Sequence, residues 1–255
     1  MLNGRVLDPA SDCDRITDVL VRNGVIASVG SVADAGTAAE VIDASGCVVT
    51  PGLIDFHAHV ADTVISLGTD PDKAGIATGV TTVVDAGSCG YLHMPAFARF
   101  NVGPAVTSVF ALLHVSPFGE AVLPETGYEL YDEARFLNTV EQFRELIRGV
   151  KLRFIGEILD EPRVDVMALA FRAARMSGLP VIVHTGFDRP GKVTASDLRR
   201  HQVRLLEMME PGDVITHAFT AKAGGFFPSG TPIPELQAAL ERGVLLDVAP
   251  GLSHM

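Results

Sequence analysis

The sequence predicts an α/β protein, a (β/α)₈ TIM-type barrel with a small β-module at its N-terminus. Three observations carry that expectation. Short, nearly continuous apolar runs follow one another from Val48 onward, and helix-like stretches lie between them. Seven such runs occur in succession, which favours a barrel over a doubly wound sheet. No GxGxxG or phosphate-loop motif follows any of them, which removes the usual nucleotide-binding readings. Apolar strands alternating with helices mean a parallel sheet covered by helices on its faces.

Residues 1–48 read as the β-module. In "ITDVLVRNGVIASVG", Asn23-Gly24 separates two runs rich in Val and Ile. Asn-Gly tolerates the positive φ of a type I′ turn, so a hairpin is expected there. "AAEVIDASG" supplies a further short strand. Residues 49–255 read as the barrel, its first strand already opening in the apolar run at Val48. The expected strands are "VVTPGLIDFH", "GVTTVVDAG", "PAVTSVFALLH", "GVKLRFIG", "LPVIVHTG", "DVITHAF" and "GVLLDVAPG". Helices are expected in "ARFLNTVEQFRELIRG", "VDVMALAFRAARMSG" and "ASDLRRHQVRLLEMMEPG". In the second of these, Val166, Leu169, Ala170, Ala173 and Ala174 fall at helical spacing, Gly178 suits a C-cap and Pro180 prevents continuation. The eighth strand is missing from this count, so the expectation is a truncated, incomplete barrel. Its two open edges are an aggregation liability.

Composition narrows the function classes. The chain has 255 residues, 47% hydrophobic and 20% charged, enough for one large domain with a substantial core. A net charge of -11 argues against nucleic acid or an anionic membrane as partner. No signal peptide and no long uncharged apolar segment is visible. Cys13, Cys47 and Cys89 are widely spaced and form no CxxC, which suits reduced thiols in a cytoplasmic protein. The expected partner is a small-molecule substrate, with a homo-oligomer possible.

In a parallel barrel the working residues stand at the C-terminal ends of strands. His57 and His59 end the first expected strand, His184 the fifth and His217 the sixth. Residues i and i+2 of a strand point to one face, and neutral imidazole is a common ligand for zinc and related ions. A metal site follows. Asp55 shares the face of the pair, placed either to orient a histidine or simply to sit near the two rings. In "GVKLRFIG", Val150, Leu152 and Phe154 share the face toward the helices, which turns Lys151 and Arg153 into the barrel. A buried ammonium is costly. Two solutions stay open: an ion pair with a carboxylate, or carboxylation of Lys151 by CO₂ to an anionic carbamate bridging two metals. His254, with Ser253, Ser88, Thr185 and His114, lies near a strand end and is a candidate for substrate contact, His254 foremost. His93 and His201 fall in connecting or helical segments and are assigned no chemistry.

"PGLIDFHAH" after a β-hairpin module, then "GVTTVVDAG", a lysine in the fourth strand, "VIVHTG" and "DVITHAF", resembles the amidohydrolase superfamily. Within it the chain looks most like the dihydroorotase-related amidohydrolase/deacetylase group. The resemblance implies two divalent metals, usually zinc. His57 and His59 would bind one, His184 and His217 the other, and Lys151 as the carbamate would bridge them. A hydroxide held between the metals would attack the substrate carbonyl. The family's catalytic aspartate ends strand eight and has no counterpart here, so the catalytic residue is unassigned and Asp247 is not promoted to it. The arginine that follows HxH in classical dihydroorotases is absent from "HAHVADTV". The expected function is therefore a metal-dependent hydrolase of an amide or ester, deacetylase-like. The alternatives are a cyclic amidase of the dihydroorotase or hydantoinase kind, or an inactive metal-binding remnant.

Overall fold

A computed structural model describes the chain except residues 33–36, 124–125, 160–162, 188–192 and 252–255. It divides into two units, Met1–Leu53 and Ile54–Met255. The first contains β1 (Gly4–Asp8), β2 (Cys13–Thr17), β3 (Val19–Arg22), β4 (Val25–Val29) and β5 (Val48–Val49). Strand β1 pairs antiparallel with β2 and parallel with β5, while β3 and β4 form the expected hairpin. Asn23 and Gly24 sit at φ 52° and 75°, the two positive angles that a type I′ turn requires. The strand expected in "AAEVIDASG" does not form. Asp43 makes only an isolated bridge with Leu2. Its carboxylate accepts hydrogen bonds from the Ser45 N–H at 3.0 Å and the Ser45 hydroxyl at 2.6 Å, a local turn that competes with a ladder.

The expected first barrel strand is two strands. Pro51, which has no N–H to donate, and Gly52 separate β5 from β6 (Leu53–Ala58). Strand β6 opens the second sheet, followed by β7 (Val80–Asp85), β8 (Ser108–His114), β9 (Ile147–Arg153), β10 (Val181–His184), β11 (Val214–Thr216) and β12 (Leu245–Asp247). Among the described residues this sheet has seven strands in simple consecutive order, and its pairs from β7 to β12 are parallel.

The connections carry α1 (Pro71–Ala74), α2 (Met94–Phe97), α3 (Glu133–Gln142), α4 (Gly156–Leu159), α5 (Val166–Ser177), α6 (Ala195–Met208) and α7 (Pro234–Arg242). Helix α5 is capped by the Asp165 side chain and ends on Gly178 at φ 65°. Helix α3 stops earlier than its sequence suggests. "ELIRG" leaves the helix because Ile147, 1% exposed, pairs with Ala111 and starts β9; tertiary pairing overrides a helical pattern. No helix among the described residues is long and apolar enough to cross a membrane.

Alternation along the strands sorts two apolar clusters. Val83, Leu113, Val150, Leu152, Val181, Val183 and Ile215 face the helices and join the large core. Val84, Leu112, Ile182 and Val214 point to the other face and form a small cluster of their own. Two residues further along their strands, Leu112 gives way to His114, Ile182 to His184 and Val214 to Thr216. Lys151 stands in register with both His114 and Ile182. One sheet face thus changes from apolar to polar as it nears the C-terminal ends.

Candidate metal centre

The sheet curls strongly. In a flat sheet, the five spacings from β6 to β11 would hold them roughly 24 Å apart, at about 4.8 Å per strand. Yet His57 Nδ1 of β6 lies 2.8 Å from Thr216 Oγ1 of β11. That curvature gathers histidines from distant strands. The His57 ring centroid is 5.8 Å from that of His59 and 4.6 Å from that of His217. His184 and His217 are 4.5 Å apart.

His57, His59 and His217 are held from behind. The Thr216 hydroxyl that meets His57 also donates to Asp247 Oδ2 at 2.6 Å. His59 Nδ1 lies 2.9 Å from Ser88 Oγ, which donates to Asp85 Oδ2 at 2.7 Å. His217 donates from Nδ1 to the Ala249 carbonyl at 2.8 Å. By alternation His217 should point away from Thr216. Its φ of 57° turns it back, into a region uncommon for residues other than glycine. Asp55 sits beside the pair, where its carboxylate accepts the His57 backbone N–H at 2.9 Å.

Lys151 is fully buried. Its stem lies against Gly87, which sits at φ 96° and where an added Cβ would come within 2.4 Å of Lys151 Cγ. Burial and, next, the Lys151 charge push His57 down to about 3. Burial pushes His59 down to about 4, partly opposed by Asp85 and assisted by Lys151. Both rings are therefore neutral at neutral pH, the state in which imidazole binds metal. Burial pushes Asp85 up, against the opposing pull of His59 and of its hydrogen bonds. At Asp247 burial also raises the carboxyl, but the nearby His57 ring and the Thr216 hydroxyl outweigh it and leave it below its usual value.

Among the described residues, the other candidates from sequence are buried and hydrogen-bonded within the fold. His114 is fully buried and accepts the Ser116 N–H on Nδ1 at 2.9 Å. Thr185 is buried and donates to the Thr216 carbonyl at 3.0 Å. Ser88 is engaged by Asp85 and His59. His254 and Ser253 lie outside the described residues. Histidine position alone misses Asp85, Thr216 and Glu120, whose Oε2 is 3.7 Å from His59 Nδ1. Asp85 ends its strand in "VVDAG" as His57 nearly ends its own, and that placement is the signal that marks it.

Among the described residues no three His, Cys, Asp or Glu side chains close on one point as a finished ligand set. The positive charge of Lys151 acts on His57, His59 and His114, and a divalent cation cannot share that space with an ammonium. The donor chemistry of neutral imidazoles around a buried amine in a glycine cradle fits divalent metals once the amine loses its charge.

Known proteins resemble the chain over part of their own length. The model of the Amidohydrolase family matches residues 40–90. The chain is 30% identical over 241 residues to a deacetylase of Agrobacterium fabrum, covering 92% of this chain and 57% of the relative. It is 37% identical over 131 residues to a dihydroorotase of Geobacter sulfurreducens, covering 49% of this chain and 30% of the relative. A crystal structure of a dihydroorotase superposes with a TM-score of 0.78 at 28% identity, covering 96% of this chain and 63% of that one. The chain thus spans less than two thirds of the length of each.

Proposed function

The chain is a member of the amidohydrolase superfamily, carrying an incomplete (β/α)₈ barrel, and from that premise we propose that it serves a metal-dependent hydrolase of amide or ester bonds, with deacylation of a small-molecule substrate favoured. One observation carries the reading: His57, His59, His184 and His217 gather at the strand ends of a curled sheet that also holds the buried Lys151. Amidohydrolases of the dihydroorotase kind generally use a binuclear metal centre. In this reading His57 and His59 would hold one zinc ion, His184 and His217 would hold the second, and Lys151 as the carbamate would serve both. When bound, such ions lower the pKa of water and polarise a carbonyl.

The chain's own residues prepare that centre. His57 and His59 are neutral, so each ring keeps one nitrogen with a free lone pair. Lys151 reacts with CO₂ by attack of its neutral amine on carbon and loss of a proton. The change from ammonium to carbamate removes one positive charge and adds one negative charge where cations must sit. Deacylation is supported by the deacetylase relatives. A cyclic amidase is the second reading, supported by the likeness to dihydroorotases. The lack of an arginine in "HAHVADTV" counts against dihydroorotate itself. A cytoplasmic setting is supported by three free thiols, Cys13, Cys47 and Cys89.

The test is elemental analysis of protein produced with zinc and bicarbonate, followed by panels of N-acyl, O-acyl and cyclic amide substrates. The expected outcome is about two metal ions per chain and turnover of acyl substrates. Turnover of cyclic amides alone selects the second reading. Protein without bound metal, inert on every panel, overturns both.

A further inference from the structure

His57 and His59 each turn Nδ1 toward a hydroxyl that is already committed. A serine or threonine hydroxyl has one proton to give. Ser88 gives its proton to Asp85, so toward His59 Nδ1 it can only accept. Thr216 gives its proton to Asp247, so toward His57 Nδ1 it can only accept. Neutral His57 and His59 must then carry their protons on Nδ1 and their lone pairs on Nε2. Direct bonds to carboxylates do not compete, since Asp247 is 3.6 Å from His57 Nδ1 and Glu120 3.7 Å from His59 Nδ1, beyond hydrogen-bond range. Asp85 is held as an acceptor by three groups that can only donate, the backbone N–H groups of Val60 at 2.9 Å, Gly87 at 3.2 Å and Ser88 at 2.8 Å.

We infer that Asp85–Ser88 and Asp247–Thr216 are two separate relays that fix His59 and His57 as Nδ1–H tautomers and so prepare both Nε2 atoms as ligands for a divalent cation. The four are positioning residues. Free neutral histidine favours the Nε2–H form, so the relays work against the intrinsic preference. A hydrogen-bonded partner on the far nitrogen also orients the ring and raises its basicity. The inference deepens the metal-site reading and rests on it only for the cation, because the tautomers belong to the metal-free chain.

The test is ¹⁵N NMR of the metal-free chain at neutral pH, beside zinc titration against a competing chelator. Both histidines are expected as Nδ1–H. Ser88→Ala should move only the His59 signals toward Nε2–H, and Thr216→Val only those of His57. Thr216→Ser should behave as wild type. Each variant lacking a hydroxyl should lose about 10–100-fold in zinc affinity, and Thr216→Ser should lose none. An Nε2–H form at either residue in the wild-type chain, which needs no variant to fold, overturns the relays. So does a Thr216→Val chain whose His57 tautomer is unchanged. Nδ1–H forms that follow their hydroxyls, with no zinc taken up, uphold the relays and overturn the metal site.

Discussion

Exchanging Asp85 for asparagine keeps the shape of a fully buried side chain and reverses one end of its chemistry. Oδ1 accepts the N–H groups of Gly87 and Ser88; Oδ2 accepts the Val60 N–H and the Ser88 hydroxyl. An amide has oxygen at only one of these positions. With NH₂ in place of Oδ1 it faces two fixed N–H groups. With NH₂ in place of Oδ2 it faces one N–H and a hydroxyl that can rotate, so this pose costs less. The Val60 N–H is then stranded, at about 1–3 kcal/mol, and bonds to a charged acceptor worth about 1.5–3 kcal/mol are lost. Together these destabilise the fold by about 2.5–6 kcal/mol. The Ser88 hydroxyl now accepts from the amide and donates to His59 Nδ1, which moves the imidazole proton to Nε2 and removes the metal-facing lone pair. Urea unfolding reads the first effect as a midpoint lowered by about 1–2 M, for an m-value near 3 kcal/mol/M. Zinc competition and the His59 ¹⁵N signals read the second. A variant destabilised by this amount that keeps His59 as Nδ1–H and binds zinc like wild type refutes the reasoning, because the hydroxyl proton then does not set the imidazole.

Three further outcomes are expected. Lys151→Ala should lower bound metal and hydrolysis together, with partial rescue by short carboxylic acids that mimic a carbamate; full metal content and activity in that variant removes Lys151 from the site. His57 and His59 lie at about 3 and about 4 in the fold against 6.5 when exposed, so below pH 6.5 the unfolded chain gains protons that the folded chain refuses. Stability of the metal-free chain should be full above that pH and fall toward pH 4, by about 1.4 kcal/mol per histidine at pH 5.5, and His57→Gln with His59→Gln should flatten the slope measured by urea titration. Gly87→Ala combines a φ of 96° with a Cβ 2.4 Å from Lys151 Cγ, so the left-handed strain of about 1–2 kcal/mol adds to about 1–3 kcal/mol of overpacking. An unfolding midpoint equal to wild type shows that the Lys151 stem does not rest there.

The sheet order and the inward face of Lys151 were legible because both follow from local alternation: Val150 and Leu152 bury against helices, so Lys151 cannot. The hairpin at Asn23-Gly24 was legible for the same kind of reason, a dipeptide suited to two positive φ angles. What stayed hidden depended on curvature or on a single backbone turn. Thr216 and His57 are 159 residues apart in the chain, and nothing local marks them as partners. The φ of His217 reverses the side that alternation assigns it. The failed strand at "AAEVIDASG" turned on the Asp43 side chain reaching Ser45, an interaction that competes with pairing without altering the apolar pattern.

The two relays differ in what holds them together, and that difference is itself testable. Asp85 and Ser88 belong to β7 and the turn after it, beside the strand that His59 follows, and Asp85 is 1% exposed. The His57 relay instead reaches from β6 to β11 and β12, at the two ends of the described sheet, and the Asp247 side chain is 21% exposed. Any loosening of the curl separates His57 from Thr216 while leaving His59 beside Ser88. Edge strands open at lower free energy than central ones. In urea below the unfolding transition, the His57 Nδ1–H signature should therefore fade before that of His59, and amide exchange near Asp247 should outpace exchange near Asp85. Zinc bound by both rings should bring the two losses together, since one ion then ties β6 to the same centre at both positions. If His59 fades first, or both fade together without zinc, the His57 tautomer does not depend on curvature, and the contact across the sheet is not what holds that ring.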